Sequence, residues 1–205
     1  MKQNYQLILD KIINKECMGE KKPTLLLHAC CAPCSSYVLE YLSEFFEITL
    51  FFYNPNISPK EEHDFRATEL DRLRDEMGLS ERVELIVGEY EPERFRELAR
   101  GLEDVPEGGA RCAKCYELRL SESARFAAEG GYDYFTTTLS ISPYKNALWL
   151  NEIGEAKGRE YGVRYLTSDF KKRNGYKRSC ELSAEYGLYR QDFCGCEFSR
   201  KNSEG

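Results

Sequence analysis

From residue 24 onward, short apolar runs alternate with segments whose apolar residues recur every three or four positions. "TLLLHAC" (24–30) is an unbroken apolar run, as expected of a strand covered on both faces, and "SSYVLEYLSEFF" (35–46) gathers its apolar residues on one helical face. The alternation repeats. "ITLFFYN" (48–54) reads as a strand, "NPNISPKEE" as a proline-punctuated loop, and 61–78 as a surface helix closed by Gly78. A strand over 82–90, a helix near 92–102, a helix beginning at "CYELRLSESARFAAEGG", and a strand over 132–140 with the loop "ISPYKN" come next. A helix near 146–161 and a strand over 163–170 end the series. This order predicts an α/β fold, a parallel sheet with helices on both faces. We expect one domain over 1–205, with a core of about 23–170 and an elaborated C-terminal segment of about 171–199. Loops leaving the carboxyl ends of parallel strands form the ligand-binding edge. The segments after His28, Tyr53, Ser140 and Asp169 should therefore meet there.

Composition narrows the setting. The 205 residues are 41% hydrophobic and 31% charged, ordinary for a globular chain long enough to bury one core. The first residues are amphipathic and lack the apolar centre of a secretory signal. No apolar run approaches the ~20 residues of a membrane helix. A cytoplasmic protein with no membrane partner is the expectation. A net charge of −6 speaks weakly against nucleic-acid partners, although overall charge says little about local fields.

The nine cysteines change the picture most. Their odd number, in a chain that is not a small secreted scaffold, argues against a disulfide framework and for metal or redox chemistry. "HACCAPCSS" places Cys30, Cys31 and Cys34 where a strand meets a helix. Neighbouring Cα atoms lie about 3.8 Å apart, short of the usual disulfide range, so a Cys30–Cys31 bridge would be strained. Cys31-Ala-Pro-Cys34 is also a C-x-x-C pair of the kind thioredoxin-like proteins place at a helix N-terminus, where thiolates are favoured. A second pair, Cys112-Ala-Lys-Cys115, shares one helix face, follows the glycine loop "EGGAR", and has Arg111, Lys114 and Arg119 around it. Four thiolates suit either zinc or an iron–sulfur cluster. The wide spacing of the two pairs is unlike compact zinc modules. A cluster needs four thiolates, or three and an open site. Cys30, Cys31, Cys112 and Cys115 would supply a full set and leave Cys34 as a reserve ligand or active thiol, but spacing alone does not assign the four. Near the C-terminus, Cys194-Gly-Cys196 reads as a reversible dithiol, because so short a ring would be labile. Cys17 and Cys180 read as packed thiols.

Other residues have competing readings. His28 shares a strand face with Cys30 and is read as a core residue ahead of a ligand or proton donor. His63 lies on a charged helix and should be exposed. Asp169 follows the last strand as an acid, a metal ligand or a turn cap. Lys171, Lys172, Arg173, Lys177 and Arg178, with Tyr176 among them, form a basic patch able to contact phosphates and stack on bases, or a solvated charge run.

Taken together, "LLLHACCAPCS", "FFYNPNISP", "RCAKCYELRL", "FTTTLSISPY" and "LYRQDFCGC" resemble the QueH-type epoxyqueuosine reductases over about 24–199. The resemblance implies a fold similar to the adenine-nucleotide hydrolase type. It also implies reduction of epoxyqueuosine to queuosine in the tRNA anticodon, without cobalamin. It assigns a [4Fe–4S] cluster to Cys30, Cys31, Cys112 and Cys115, a redox pair to Cys194 and Cys196, and an additional mononuclear iron to Cys34. The partners implied are tRNA carrying epoxyqueuosine and an external electron donor. The chain departs from the family pattern at Lys145, where glutamine is expected, and at His63, where an aromatic ring is expected. Three other readings compete. A thioredoxin-like oxidoreductase leaves Cys112, Cys115 and the C-x-C unused. A tRNA-modifying ATP pyrophosphatase needs a glycine-rich phosphate loop, absent at "CCAPCSS". A zinc-stabilised RNA-binding module is separated from the reductase by the identity of its metal.

Overall fold

The computed structural model describes residues 3–17, 19 and 21–200. Five strands, β1 (Thr24–His28), β2 (Glu47–Phe52), β3 (Glu84–Val87), β4 (Tyr134–Thr137) and β5 (Arg164–Tyr165), pair in parallel in the order β3-β2-β1-β4-β5. Strand order reverses between β1 and β4, and the crevice outside their carboxyl ends is the switch point where such sheets bind ligands.

Pleating sorts the strand residues into two cores. Leu25, Leu27, Ile48, Leu50 and Phe52 face one layer, with Leu9 of α1 (Tyr5–Glu16), Leu39 of α2 (Ala32–Leu42) and Leu70 of α3 (Lys60–Glu76). Leu26, Phe51 and Phe135 face the other, with Phe95 of α4 (Pro92–Ala99), Leu120 of α5 (Ala110–Glu129) and Leu150 of α6 (Ala147–Tyr161). Helices thus cover both faces, as the alternation predicts. Among the described residues no helix is long and apolar enough to cross a membrane.

The strands are shorter than their apolar runs because side chains take over the backbone bonds at the carboxyl edge. Thr137 accepts from the Leu139 amide at 3.1 Å, which turns the end of the fourth run into a 3-10 helix, Thr138–Ile141. In the fifth, Thr136 Oγ1 donates to the Leu166 carbonyl (2.8 Å) and Asn151 Oδ1 accepts from the Ser168 amide (2.9 Å).

Three helices beyond the expected set form at the ends. Asn4 caps α1, its side chain accepting from Leu7 at 3.3 Å. The basic stretch contains the start of α7 (Gly175–Glu185), entered through left-handed Arg173 and Asn174 and packed on α2. Residue 175 is glycine because a Cβ there would collide with the Phe170 carbonyl and the Tyr37 ring.

Past α7 the chain returns across α3, which is not only a surface helix. Arg72 donates to the carbonyls of Tyr186 (3.1 Å) and Gly187 (3.4 Å). Arg66, almost fully buried, donates to those of Cys194 (3.3 Å) and Phe193 (3.5 Å). The Ser58 amide donates to Gly195 O at 3.0 Å, and a short α8 (Glu197–Arg200) is tied to α4 by Arg96–Glu197 at 2.9 Å. His63 is buried, against expectation: it packs 5.0 Å from the Phe52 ring and 4.5 Å from Tyr90, filling an aromatic slot, and burial lowers its pKa.

Candidate metal centre

β1 ends at His28 and two residues later the chain must enter α2. Cys31 is the N-cap of α2, Pro33 sits in its first turn with no N–H to lose, and no side chain caps the helix. The positive end of α2 is therefore free to favour anionic sulfur. The Sγ atoms of Cys30, Cys31 and Cys34 all lie within 4.8 Å of one another, a group able to hold a metal ion. Cys30 and Cys31 are 3.6 Å apart through sulfur and unbridged.

Of the three thiols, Cys30 is the one favoured to ionise. Hydrogen bonds from Cys31 and Cys34 hold its pKa well below the usual thiol value, against burial, with help from the Arg119 charge and the Thr138 hydroxyl at 3.6 Å. The same bond to Cys30 pushes Cys31 up to about 12, and bonds to Cys30 and Cys31 push Cys34 well above normal. A metal would replace those shared protons.

Cys112 and Cys115 of α5 lie outside that converging group and pack in one apolar cluster with Cys30, Cys194 and Cys196. Burial raises both pKa values, Cys115 to about 12 even with Arg119 beside it. The Gly108 amide donates to Cys112 Sγ at 3.2 Å, so the glycine loop delivers a backbone N–H to sulfur. Of the three cations expected around this pair, only Arg119 lines the cavity. Lys114 is exposed, and Arg111 Nη1 donates to the carbonyls of Leu102 (2.9 Å), Glu103 (2.8 Å) and Val105 (2.5 Å), tying down the loop before α5.

Arg119 is almost fully buried. Its Nη2 donates to Asn54 Oδ1 and its Nε to His28 Nε2 (3.3 Å), while Asn54 Nδ2 donates to the Ala29 carbonyl at 2.9 Å. The Asn-Pro-Asn loop thus supports a cation beneath the thiols. Helical spacing places residue 119 on the same face as Cys112 and Cys115, a signal available before folding. His28 lies 2.8 Å from Thr137 Oγ1 and 3.1 Å from the Tyr53 carbonyl. Burial, then the Arg119 charge, lowers its pKa to about 3. It is a neutral, fully engaged core group.

A cavity of about 400 Å³ opens over these residues, lined by Cys30, Cys31, Cys34, Arg119, Lys145 and Cys194 among others. Arg190, Gln191, Asp192 and Phe193 form its wall on the C-terminal side. Cys196 is buried, and burial followed by the nearby Cys194 raises its pKa. Lys145 Nζ pairs with Glu107 at 2.7 Å. Burial opposes its charge, but Cys194, Tyr116 and Glu107 outweigh that and push its pKa up. In the sequence Lys145 stands out only as a departure from the family pattern, and Arg66 does not stand out at all. Locally Arg66 shows only an i,i+4 pair with Glu62 (2.7 Å); the carbonyls it holds lie 127 and 128 positions away and leave no signal in the neighbouring sequence.

Asp169 does not line this cavity; its carboxylate pairs with Lys171 at 3.0 Å, whose Nζ also donates to the Ser140 carbonyl (2.9 Å). The remaining basic residues are also largely engaged. Arg173 pairs with Asp10 at 2.5 Å, and Arg178 holds Glu40 through two bonds of 2.6 and 3.0 Å. Lys172 is exposed, and Lys177 meets Glu181 only at 3.9 Å. Most of the stretch works as intramolecular ion pairs that fasten α7 and its approach to α1 and α2. Cys17 is buried in the core, while Cys180 is half-buried.

The fold and site define a class, an α/β protein with a thiol-rich, metal-competent centre at the switch point of a parallel sheet. The family model described as Epoxyqueuosine reductase QueH matches residues 25–202. Curated relatives named Epoxyqueuosine reductase QueH include one from Staphylococcus epidermidis, 45% identical over 97% of this chain and 85% of the relative. Another from Streptococcus pyogenes serotype M1 is 42% identical over 98% and 79%, and one from Thermotoga maritima is 36% identical over 86% and 90%. The chain belongs to the QueH epoxyqueuosine reductase family. Among solved structures, the U34-tRNA thiolase NcsA from Methanococcus maripaludis, with its [4Fe-4S] cluster, superposes with a TM-score of 0.54 over 98% of this chain and 71% of that one. At 12% identity, that likeness concerns the fold.

Proposed function

We propose that this chain reduces epoxyqueuosine in a tRNA anticodon to queuosine. Family membership supports the reaction, and the observation that carries it here is the convergence of Cys30, Cys31 and Cys34 beneath a cavity that also reaches Cys194. The donor set fits an iron–sulfur cluster: soft thiols, a buried guanidinium to offset their charge, and a backbone N–H aimed at sulfur. Cys30, Cys31, Cys112 and Cys115 are the proposed ligands, with Cys34 as the neighbouring thiol. The thiols of Cys30, Cys31 and Cys34 form one group, so the proposal is for one metal–sulfur centre and does not extend to a mononuclear iron at Cys34.

Converting an epoxide to an alkene and water consumes two electrons and two protons. When bound, the cluster supplies electrons one at a time. Oxidising the Cys194 and Cys196 thiols to a disulfide releases two electrons and two protons, which balances the reaction; an external reductant must then restore the dithiol. Lys145 holds a proton at Nζ inside the cavity, where it can donate a hydrogen bond to the departing oxygen. Asp169, engaged by Lys171 and outside the cavity wall, has no part in this proposal.

The test is iron and acid-labile sulfide content after anaerobic purification, with turnover of epoxyqueuosine-tRNA. Wild type should contain about four irons and four sulfides and turn over. Cys30→Ala should lose the metal, whereas Cys194→Ser should keep it and lose multiple turnover. Zinc without sulfide in an active protein would overturn the centre, and unchanged iron in Cys30→Ala would overturn its ligand set.

A further inference from the structure

The cavity over the thiols has the size of a site for a single small ligand, about 400 Å³, and is too small for a paired nucleic-acid stem. If the substrate is one nucleotide of a folded RNA, that nucleotide must leave its stack to enter, and its neighbours lose a stacking partner at the rim. The rim holds the groups that would replace it. Tyr144 belongs to the tight turn after β4, in which the Lys145 amide donates to Ser142 O (3.2 Å) and the Tyr144 amide to Ser142 Oγ (3.3 Å). Its ring is 77% exposed, the most exposed of the large apolar side chains among the described residues, and no ring contact involves it there. The turn thus places an uncovered aromatic ring on the lining of the cavity, where a base entering from solvent can stack on it.

Tyr176 lines the same cavity from the first turn of α7, a different element, and is 36% exposed. Its side chain hydrogen-bonds with Arg190, an exposed cation that also lines the cavity and donates to Ser183 Oγ at 3.4 Å. Two exposed rings and a guanidinium around one opening are the elements of sequence-tolerant single-strand recognition. The basic stretch 171–178 supplies much less of this than its composition suggests, because Lys171, Arg173 and Arg178 are engaged in ion pairs.

We propose that Tyr144 and Tyr176 are the stacking platforms for the bases flanking the extruded nucleotide of an RNA loop, with Arg190 contacting the adjoining phosphate. This rests on the reading of the substrate as tRNA and assigns the residues that grip it. Both tyrosines are positioning residues, since they act on the neighbours of the reacting nucleotide.

The test uses the metal-containing protein and an anticodon stem-loop RNA carrying 2-aminopurine beside the target nucleotide. On binding wild type, the probe should change its emission as it exchanges an RNA neighbour for a protein ring. Tyr144→Ala and Tyr176→Ala should each weaken binding on the order of tenfold with the slope against log salt unchanged, and Tyr144→Phe should restore both affinity and emission change. Arg190→Gln should lower the salt slope by about one. The joint Lys172→Gln, Lys177→Gln variant should leave the emission change intact and affect only affinity and its salt dependence. If wild type binds the stem-loop and the double tyrosine variant matches it in affinity and emission, the platforms are wrongly assigned. If wild type fails to bind any RNA, the substrate reading itself falls, whatever the tyrosines do.

Discussion

The contacts that hold the segment Phe193–Cys196 depend on glycine at position 195, and one methyl group there should loosen them. Gly195 has φ +94°, a region an L-residue avoids at a cost of about 1–2 kcal/mol. A Cβ at this position would also stand 3.0 Å from Ile57 Cγ1 and 3.1 Å from Arg66 Nη1. Ile57 is buried and cannot swing aside, so the guanidinium must move. Its bonds to Cys194 O and Phe193 O are already long, 3.3 and 3.5 Å, and weakening them costs about another 1 kcal/mol. Gly195→Ala should therefore favour the detached segment by ~2–3 kcal/mol, a factor of about 30–150 in its population. The readout is alkylation of the metal-free protein under native conditions, followed by peptide mass spectrometry. Cys196 is 4% exposed and should be nearly protected in wild type. Its labelling rate should rise by about that factor in the variant, because the reagent samples the open population. Cys17, buried in the opposite core, serves as the internal control and should not change. An unaltered Cys196 rate in a normally folded variant would refute the claim that Gly195 and Arg66 clamp the segment.

Two further outcomes follow from the buried groups beneath the thiols. Replacing Arg119 by Met removes a buried positive charge next to Cys115 and Cys30, so reduction of a bound metal–sulfur centre becomes less favourable. A few kcal/mol at an effective dielectric of about 20 corresponds to a fall on the order of 100 mV, which Arg119→Lys should largely reverse in a spectroelectrochemical titration; a midpoint unmoved in Arg119→Met would show that this cation does not set the potential. His28 binds a proton near pH 6.5 when unfolded but only near 3 when folded. Above 6.5 neither state is protonated and the group has no effect; between 6.5 and about 3 only the unfolded state takes the proton, so stability falls as pH falls, by about 1.4 kcal/mol per unit. Unfolding free energies of wild type and His28→Gln should therefore diverge by about 2 kcal/mol between pH 7 and 5, and parallel profiles would refute the neutral buried histidine.

Much of this molecule is legible without coordinates. Apolar runs such as "TLLLH" and "ITLFF" can be satisfied only by strands covered on both sides, so the parallel α/β architecture follows from hydrophobic burial and local periodicity. The grouping of Cys30, Cys31 and Cys34 is equally local, because a strand end and the first turn of a helix bring thiols one and three positions apart together. Composition and spacing have no means of expressing pairings across the fold. The basic stretch looks like a nucleic-acid surface until folding brings Asp10 to Arg173 and Glu40 to Arg178, partners 163 and 138 positions away. His63 looks exposed until β2 and the segment bearing Tyr90 close over it. Arg119 becomes a buried cation under the thiols only because the loop after β2 places Asn54 against it. Short-range order is encoded in neighbouring residues. The environment that sets a side chain's charge, exposure and partner is made by residues distant in sequence, and so is decided by tertiary packing.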